Sequence, residues 1–235
     1  VDEGDTAKTD GTYLYVLKDK SNQIAIIDTR DNRMKQTATI TVEDVSEIQE
    51  MYLDIERNQL IAVCDGYVGG KWNDDDYGYG QRANTTAVTY DISDRENPKE
   101  VGRVSQSGYY NSSRIADGYL YLFSDYYVTL DGITAKNPKS YIPLVNDNLI
   151  KETDICLPSI SKADMYSIIT SVSLENPNET AHSKALLADG GNLYVSNDNI
   201  YFYENVWQYS GKDVTTIRKV SYESGKLTAG AQCKI

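Results

Sequence analysis

Residues 65–84, DGYVGGKWNDDDYGYGQRAN, gather the side chains of this chain most able to do chemistry. Three consecutive carboxylates, Asp74, Asp75 and Asp76, are hard oxygen ligands of the kind calcium takes, which makes them weak candidates for a metal site. Among glycines beside them stand Trp72, Tyr77 and Tyr79, aromatic faces suited to a sugar ring or to another protein. The spacing of an EF-hand fails, because glycine stands where a third acidic ligand belongs and no Glu follows at the required distance. A solvated loop, a ligand surface and a calcium site all stay open as readings of this segment.

Little else could catalyse. The single His182 has no second His or Cys near it in sequence, which removes most zinc geometries and weakens any His-assisted nucleophile, so it reads as structural. Cys64, Cys156 and Cys233 are far apart and form no CxxC spacing, so they read as free thiols. No nucleophile elbow and no phosphate-cradling glycine loop occur, and apart from calcium no cofactor is expected. In 235 residues, 23 Lys and Arg stand against 35 Asp and Glu, a net charge of −12, the wrong sign for nucleic acid or anionic lipid. No apolar run approaches the ~18 residues of a membrane-crossing helix. The chain opens VDEGD with neither Met nor signal peptide and reads as a piece of a longer protein.

The elements that must position these groups are strands. Twenty Tyr against two Phe, with short apolar segments alternating at period two, predict half-buried strands throughout and no helix beyond a turn or two. The stretch 43–55, EDVSEIQEMYLDI, lacks a helical stripe, and its second half reads as strand. A turn-forming pair followed by an apolar strand recurs four times, as TDGTYLYVL (9–17), ERNQLIAVC (56–64), ADGYLYLF (116–123) and NDNIYFYEN (197–205). With a short strand before it and two after it, each copy supplies four strands, A to D.

Anchors on strand B (Leu14, Leu60, Leu120, Ile200) and strand C (Asp28, Asp91, Ser173, Ser221) make the repeat measurable. From C to the next B the anchors lie 32, 29 and 27 residues apart, whereas from B to C within a repeat they lie 14, 31, 53 and 21 apart. Nearly all length variation therefore falls in the B–C loop. A near-constant core carrying four strands is the size of a propeller blade. The predicted fold is all-β: a β-propeller region over 1–235 of four consecutive four-stranded antiparallel blades (about 1–42, 43–106, 107–189 and 190–235), forming an open arc of a larger propeller. No Trp-Asp pair of the WD40 type is present.

The segments VDEGDTAKTDG (1–11), SRIADGYLYL (113–122), SYIPLVND (140–147) and GGNLYVSNDNIYFY (190–203) resemble secreted bacterial proteins with a C-terminal β-propeller domain distantly related to WD40 repeats. The chain is similar to the N-terminal half of that domain. The resemblance implies an extracellular or cell-surface bacterial protein and transfers no catalytic motif.

The A–B and C–D turns are tight and rich in Gly, Asn, Asp and Pro, while the B–C loops of blades two and three (65–84 and 126–165) are long, so a ligand surface is expected on the B–C face. In blade three's loop, YIPLV and DICLP are expected to pack down on the blade. Tyr109–Tyr110 and Tyr126–Tyr127, at strand ends, suit either amphipathic packing or an aromatic ligand platform. The leading expectation is an extracellular binding or scaffolding module for a protein or glycan. Its alternative is a glycan-active hydrolase or lyase using carboxylates of the B–C loops. Neither nucleic acid nor membrane insertion is expected of this chain, and a homodimer through exposed blade faces is the oligomer to test.

Overall fold

The computed structural model describes residues 3–31, 33–67, 83–128, 136–157, 163–188, 192–207 and 213–235. Its first sheet runs β1 (Ala7–Thr9), β2 (Tyr13–Leu17), β3 (Gln23–Asp28), β4 (Lys35–Thr41), and its second β5 (Glu47–Asp54), β6 (Gln59–Tyr67), β7 (Ala83–Asp91), β8 (Lys99–Ser107). Next come β9 (Tyr109–Ala116) and β10 (Tyr119–Tyr127), then three two-residue strands, β11 (Leu144–Val145), β12 (Asn148–Leu149) and β13 (Ile155–Cys156). The third sheet is completed by β14 (Met165–Ser173) and β15 (Thr180–Ala188), and the fourth is β16 (Asn192–Val195), β17 (Asn199–Trp207), β18 (Asp213–Glu223), β19 (Lys226–Lys234). Helical structure among the described residues is limited to single 3-10 turns at Pro138–Ser140 and Glu152–Asp154. Four antiparallel four-stranded sheets therefore follow one another along the chain, as the repeat requires. The 43–55 stretch is strand from Glu47 onward, three residues earlier than its EMYLDI half.

All four sheets share one register. Each strand C anchor pairs with the residue just before the strand B anchor: Asp28 with Tyr13, Asp91 with Gln59, Ser173 with Tyr119 and Ser221 with Asn199. Strand alternation then sorts side chains between neighbours. In β6, Leu60 and Ala62 are buried with Tyr15, Ile24 and Ile26 of the first sheet, while Ile61 and Val63 are buried with Leu120 and Leu122 of the third. In β10, Tyr121 and Phe123 turn the other way and meet Ile200 and Phe202 of the fourth sheet. Among the described residues three apolar clusters thus lie between successive sheets, none of them joins the first sheet to the fourth, and the sheets do not close into a ring.

Polar clasps fix each junction at its rim. Between sheets one and two, the Arg95 guanidinium donates to Asp10 (3.0 Å), the Tyr15 hydroxyl (3.2 Å) and Asn58 (3.0 Å). Between two and three, the backbone of Gly102 lies so close to Pro177 that a Cβ there would stand 2.5 Å from the proline ring, and Asn178 donates to the Val101 carbonyl at 2.8 Å. Between three and four, the Gly225 N–H donates to the Tyr121 hydroxyl at 3.1 Å, and burial pushes that phenol up to about 12.

Part of blade three's insertion is a strap across the rim. Val145 of β11 pairs with Gln106 of β8, and Ile155 of β13 runs parallel beside Ala185 of β15, so one segment covers the outer edges of two blades. Val145 and Ile150 are buried, whereas Leu157 is exposed. Asp154 ties the strap down by accepting from Lys184 (3.0 Å) and meeting His182 Nε2 (3.1 Å), while His182 Nδ1 accepts the Leu227 N–H (3.0 Å), so the histidine serves as a structural link between strap, third sheet and fourth. Cys64, Cys156 and Cys233 are free.

Truncating an anchor leaves a cavity between two sheets. Leu60→Ala and Leu120→Ala should each cost about 2–5 kcal/mol of unfolding free energy in chemical denaturation. Ile55→Ala, at a side chain 56% exposed beside the same sheet, should stay within about 0.5 kcal/mol.

Candidate functional site

The B–C connections leave the disc at the ends of β6 and β10, and there strand B carries a carboxylate five residues past each anchor: Asp65 after Leu60 and Asp125 after Leu120. The inner strand β9 runs between them. Its entry is set by Gly108, at φ +99° with the Asp125 carbonyl only 2.6 Å from where a Cβ would be, so only glycine turns the chain this sharply against β10. The turn is held by the Gly108 N–H donating to Ala83 (2.7 Å) and by the Thr85 hydroxyl donating to the Gly108 carbonyl (2.9 Å).

Asp65 accepts the Tyr110 N–H of the next blade at 2.8 Å and the Gln49 amide at 3.1 Å. Burial pushes its carboxyl above the usual range, the Tyr110 N–H opposes this, and the nearby charge of Glu47 adds to it. Asp125 accepts from Asn111 (2.6 Å) and from the Ser167 hydroxyl (3.0 Å), and burial raises its carboxyl likewise. The two acids are linked through the first three residues of β9, the backbone of Tyr110 serving one and the side chain of Asn111 the other.

Tyrosines frame this pair. Each Tyr-Tyr dipeptide splits by strand alternation: Tyr126 is buried and Tyr110 half-buried, while Tyr109 and Tyr127 are 49% and 60% exposed. The Tyr67 hydroxyl is hydrogen-bonded to Tyr109, and burial raises its ionisation. The face therefore presents aromatic rings with hydroxyls beside two carboxyls whose ionisation burial disfavours. Such groups can stack on an apolar ligand face and exchange hydrogen bonds with hydroxyls or amides.

Asp74, Asp75, Asp76, Trp72, Tyr77 and Tyr79 lie outside the described residues. Their segment is bracketed by Tyr67 and Ala83, which pair across β6 and β7, so it starts and ends beside Asp65. Asp65 and Asp125 were not singled out in the sequence. The signal that could have found them is their shared position in aligned repeats, AVCDGY against LFSDYY. Among the described residues no three His, Cys, Asp or Glu side chains converge to hold a metal.

The family of beta propeller domains matches the whole chain, residues 1–235, and the protein belongs to it. No curated protein matches the chain. Among solved structures it is similar to the hydrazine synthase of Kuenenia stuttgartiensis, at 10% identity over 94% of this chain and 51% of that one, with a TM-score of 0.46. It is similar also to the acylaminoacyl peptidase of Pyrococcus horikoshii, at 10% identity over 97% of this chain and 32% of that one, with a TM-score of 0.43. A WD40 domain from Toxoplasma gondii coronin is a third, at 8% identity over 94% and 68%, with a TM-score of 0.22. The chain thus spans about half of the first of these proteins and about a third of the second.

A carboxyl raised by burial weakens the fold at neutral pH. Because the folded state holds its proton more tightly than the unfolded chain, that penalty is absent below the unfolded value and grows as pH rises through the folded one. Asp125→Asn keeps the shape and removes the charge, so it should be more stable than the parent near pH 7, beyond the ~0.5 kcal/mol scatter of surface changes. The advantage should shrink to nothing toward pH ~4, near the unfolded carboxyl value. Urea denaturation of both proteins at the two pH values measures this.

Proposed function

We propose that the protein is a binding or scaffolding module working outside the bacterial cell or on its surface, and that it takes a protein or glycan ligand on the face carrying the B–C loops. The observation that carries this reading is the pairing of exposed Tyr109 and Tyr127 with the burial-raised carboxyls of Asp65 and Asp125, on the same face from which the two longest loops depart. Exposed tyrosines give large contact area at small entropic cost, and acids kept at a stability penalty are a common mark of functional surface. The extracellular setting rests on the resemblance to secreted propeller proteins. Trp72, Tyr77 and Tyr79 are proposed to extend the ligand surface, and Asp74, Asp75 and Asp76 are the side chains proposed for calcium, the one cofactor considered.

The second reading is a glycan-active hydrolase or lyase, and it is favoured by two carboxyls on one face whose ionisation burial pushes to higher pH, the direction in which a general acid is tuned. Both acids already accept two hydrogen bonds from the protein, which suits holding a ligand better than shuttling protons.

Glycan and peptide arrays probed with the chain separate the readings. A module gives a retained ligand that is not shortened on incubation, and Tyr109→Ala and Tyr127→Ala each weaken binding about tenfold, ~1.4 kcal/mol, without shifting thermal unfolding. Cleavage of a bound glycan that is lost in Asp125→Asn and Asp65→Asn establishes the enzyme instead. Ligands whose binding ignores both tyrosines place the site elsewhere and overturn the proposal.

A further inference from the structure

His182 is the only histidine of the chain, and groups from three parts of the fold close on it. It stands on β15 of the third sheet, opposite Ser171 of β14. From the strap comes Asp154, whose Oδ1 lies 3.1 Å from Nε2 and also accepts from Lys184 Nζ at 3.0 Å. From the fourth sheet comes the Leu227 N–H, which donates to Nδ1 at 3.0 Å. A backbone N–H can only donate, so Nδ1 is the bare nitrogen of the neutral ring and the proton sits on Nε2, where it is donated to Asp154. Both nitrogens are thereby committed, one as donor and one as acceptor.

A second proton cannot be added without breaking this arrangement. The imidazolium carries N–H on both sides, so Nδ1 would meet the Leu227 N–H donor against donor. Leu227 is 1% exposed, so losing its acceptor leaves a buried donor unmet. The Asp154 contact changes the other way, because a charged ring is the stronger donor to a carboxylate. Burial works against the ionisation of Asp154, but hydrogen bonds from Lys184 and His182 hold its carboxyl below the usual range, so it stays an anion where histidine titrates. Lys184 opposes a charge on the ring, and Lys151 lines the same groove; in the fourth sheet Glu223 and Lys226 pair across the turn that leads to Leu227. Solvent reaches the ring, whose side chain is 25% exposed and opens on a groove of about 280 Å³ between the strap and β15. The other bonds of that turn come from groups that do not titrate with histidine: the Ser171 hydroxyl donates to the Gly225 carbonyl, and the Gly225 N–H donates to the Tyr121 phenol, which burial pushes up to about 12.

We propose that His182 is a pH-sensitive joint between blades three and four, which as a neutral ring bridges Asp154 of the strap to Leu227 of the fourth sheet and on protonation keeps the strap but releases Leu227. The Leu227 contact is complete above the titration of the ring and is lost as pH falls through it, whereas the tie to Asp154 strengthens over the same interval. Because the turn stays pinned at Gly225, acid frees the start of β19 and leaves the rest of the junction closed.

Nuclear magnetic resonance of the full chain labelled with nitrogen-15 tests this. Near pH ~8 the imidazole should be a single neutral tautomer with its proton on Nε2. As pH is lowered to ~5, the Leu227 amide should shift with the midpoint of the ring, and its protection factor against exchange should fall about tenfold while that of Gly225 holds. His182→Asn offers the same N–H a side-chain oxygen that does not titrate, so in that variant Leu227 should be equally protected at both pH values. Comparison of the Leu227 and Gly225 amides in the parent decides the matter even where the variant does not fold. A proton on Nδ1 at the higher pH, a ring that does not titrate in this interval, a Leu227 amide that ignores its titration, or a loss of protection that persists in His182→Asn would overturn the joint.

Discussion

A β-strand turns alternate side chains to opposite sides, and in this protein the second strand of each sheet carries apolar residues on both sides. No blade can bury both of its faces by itself. Leu60 and Ile61 are neighbours in sequence, yet they belong to different cores, one shared with the blade before and one with the blade after. Fully burying a leucine or isoleucine contributes about 1.5–3 kcal/mol, so the free energy that holds each blade resides mainly at its junctions. The common register of all four sheets follows, because a slip of one residue would send each side chain to the wrong neighbour.

Apolar faces are not directional, and the polar clasps supply the direction. Arg95, Asn178 and Gly225 each reach specific groups on the adjoining blade, at the rim where tight turns bring backbone and side chain together. The opposite ends of the B strands carry long connections instead. There Asp65 reaches across a junction to the Tyr110 N–H, so one of the two acids of the candidate site is itself part of the joint between blades two and three. Candidate site and scaffold therefore share this residue: any change at Asp65 also acts on the contact that aligns β9.

The architecture was legible because it is written in local signals that repeat. Turn pairs, period-two alternation and a near-constant interval from strand C to the next strand B placed the four sheets, and the anchors chosen from spacing alone, Leu14, Leu60, Leu120 and Ile200, occupy equivalent positions in the observed register. Of the candidate site, the sequence offered the face with the long B–C loops and not the two buried acids. Trp72 and the Asp74–Asp76 run drew attention by local density, whereas Asp65 and Asp125 stand singly amid apolar strands, and what marks them is burial and hydrogen bonds from donors such as Asn111 and Ser167 that are remote from them in sequence. The strap shows the same limit. YIPLV and DICLP signalled burial, yet nothing local could reveal that their segment would pair with the outer strands of two different blades.

The claim underlying all of this is that a blade is a structural unit but not a folding unit. The direct measurement is the amide correlation spectrum of residues 107–189 alone, the third blade with its strap and both neighbours removed. With Leu120 and Leu122 on one face and Tyr121 and Phe123 on the other exposed to water, the account predicts the narrow amide dispersion of an unfolded chain. A well-dispersed spectrum with cooperative unfolding from that fragment would contradict it.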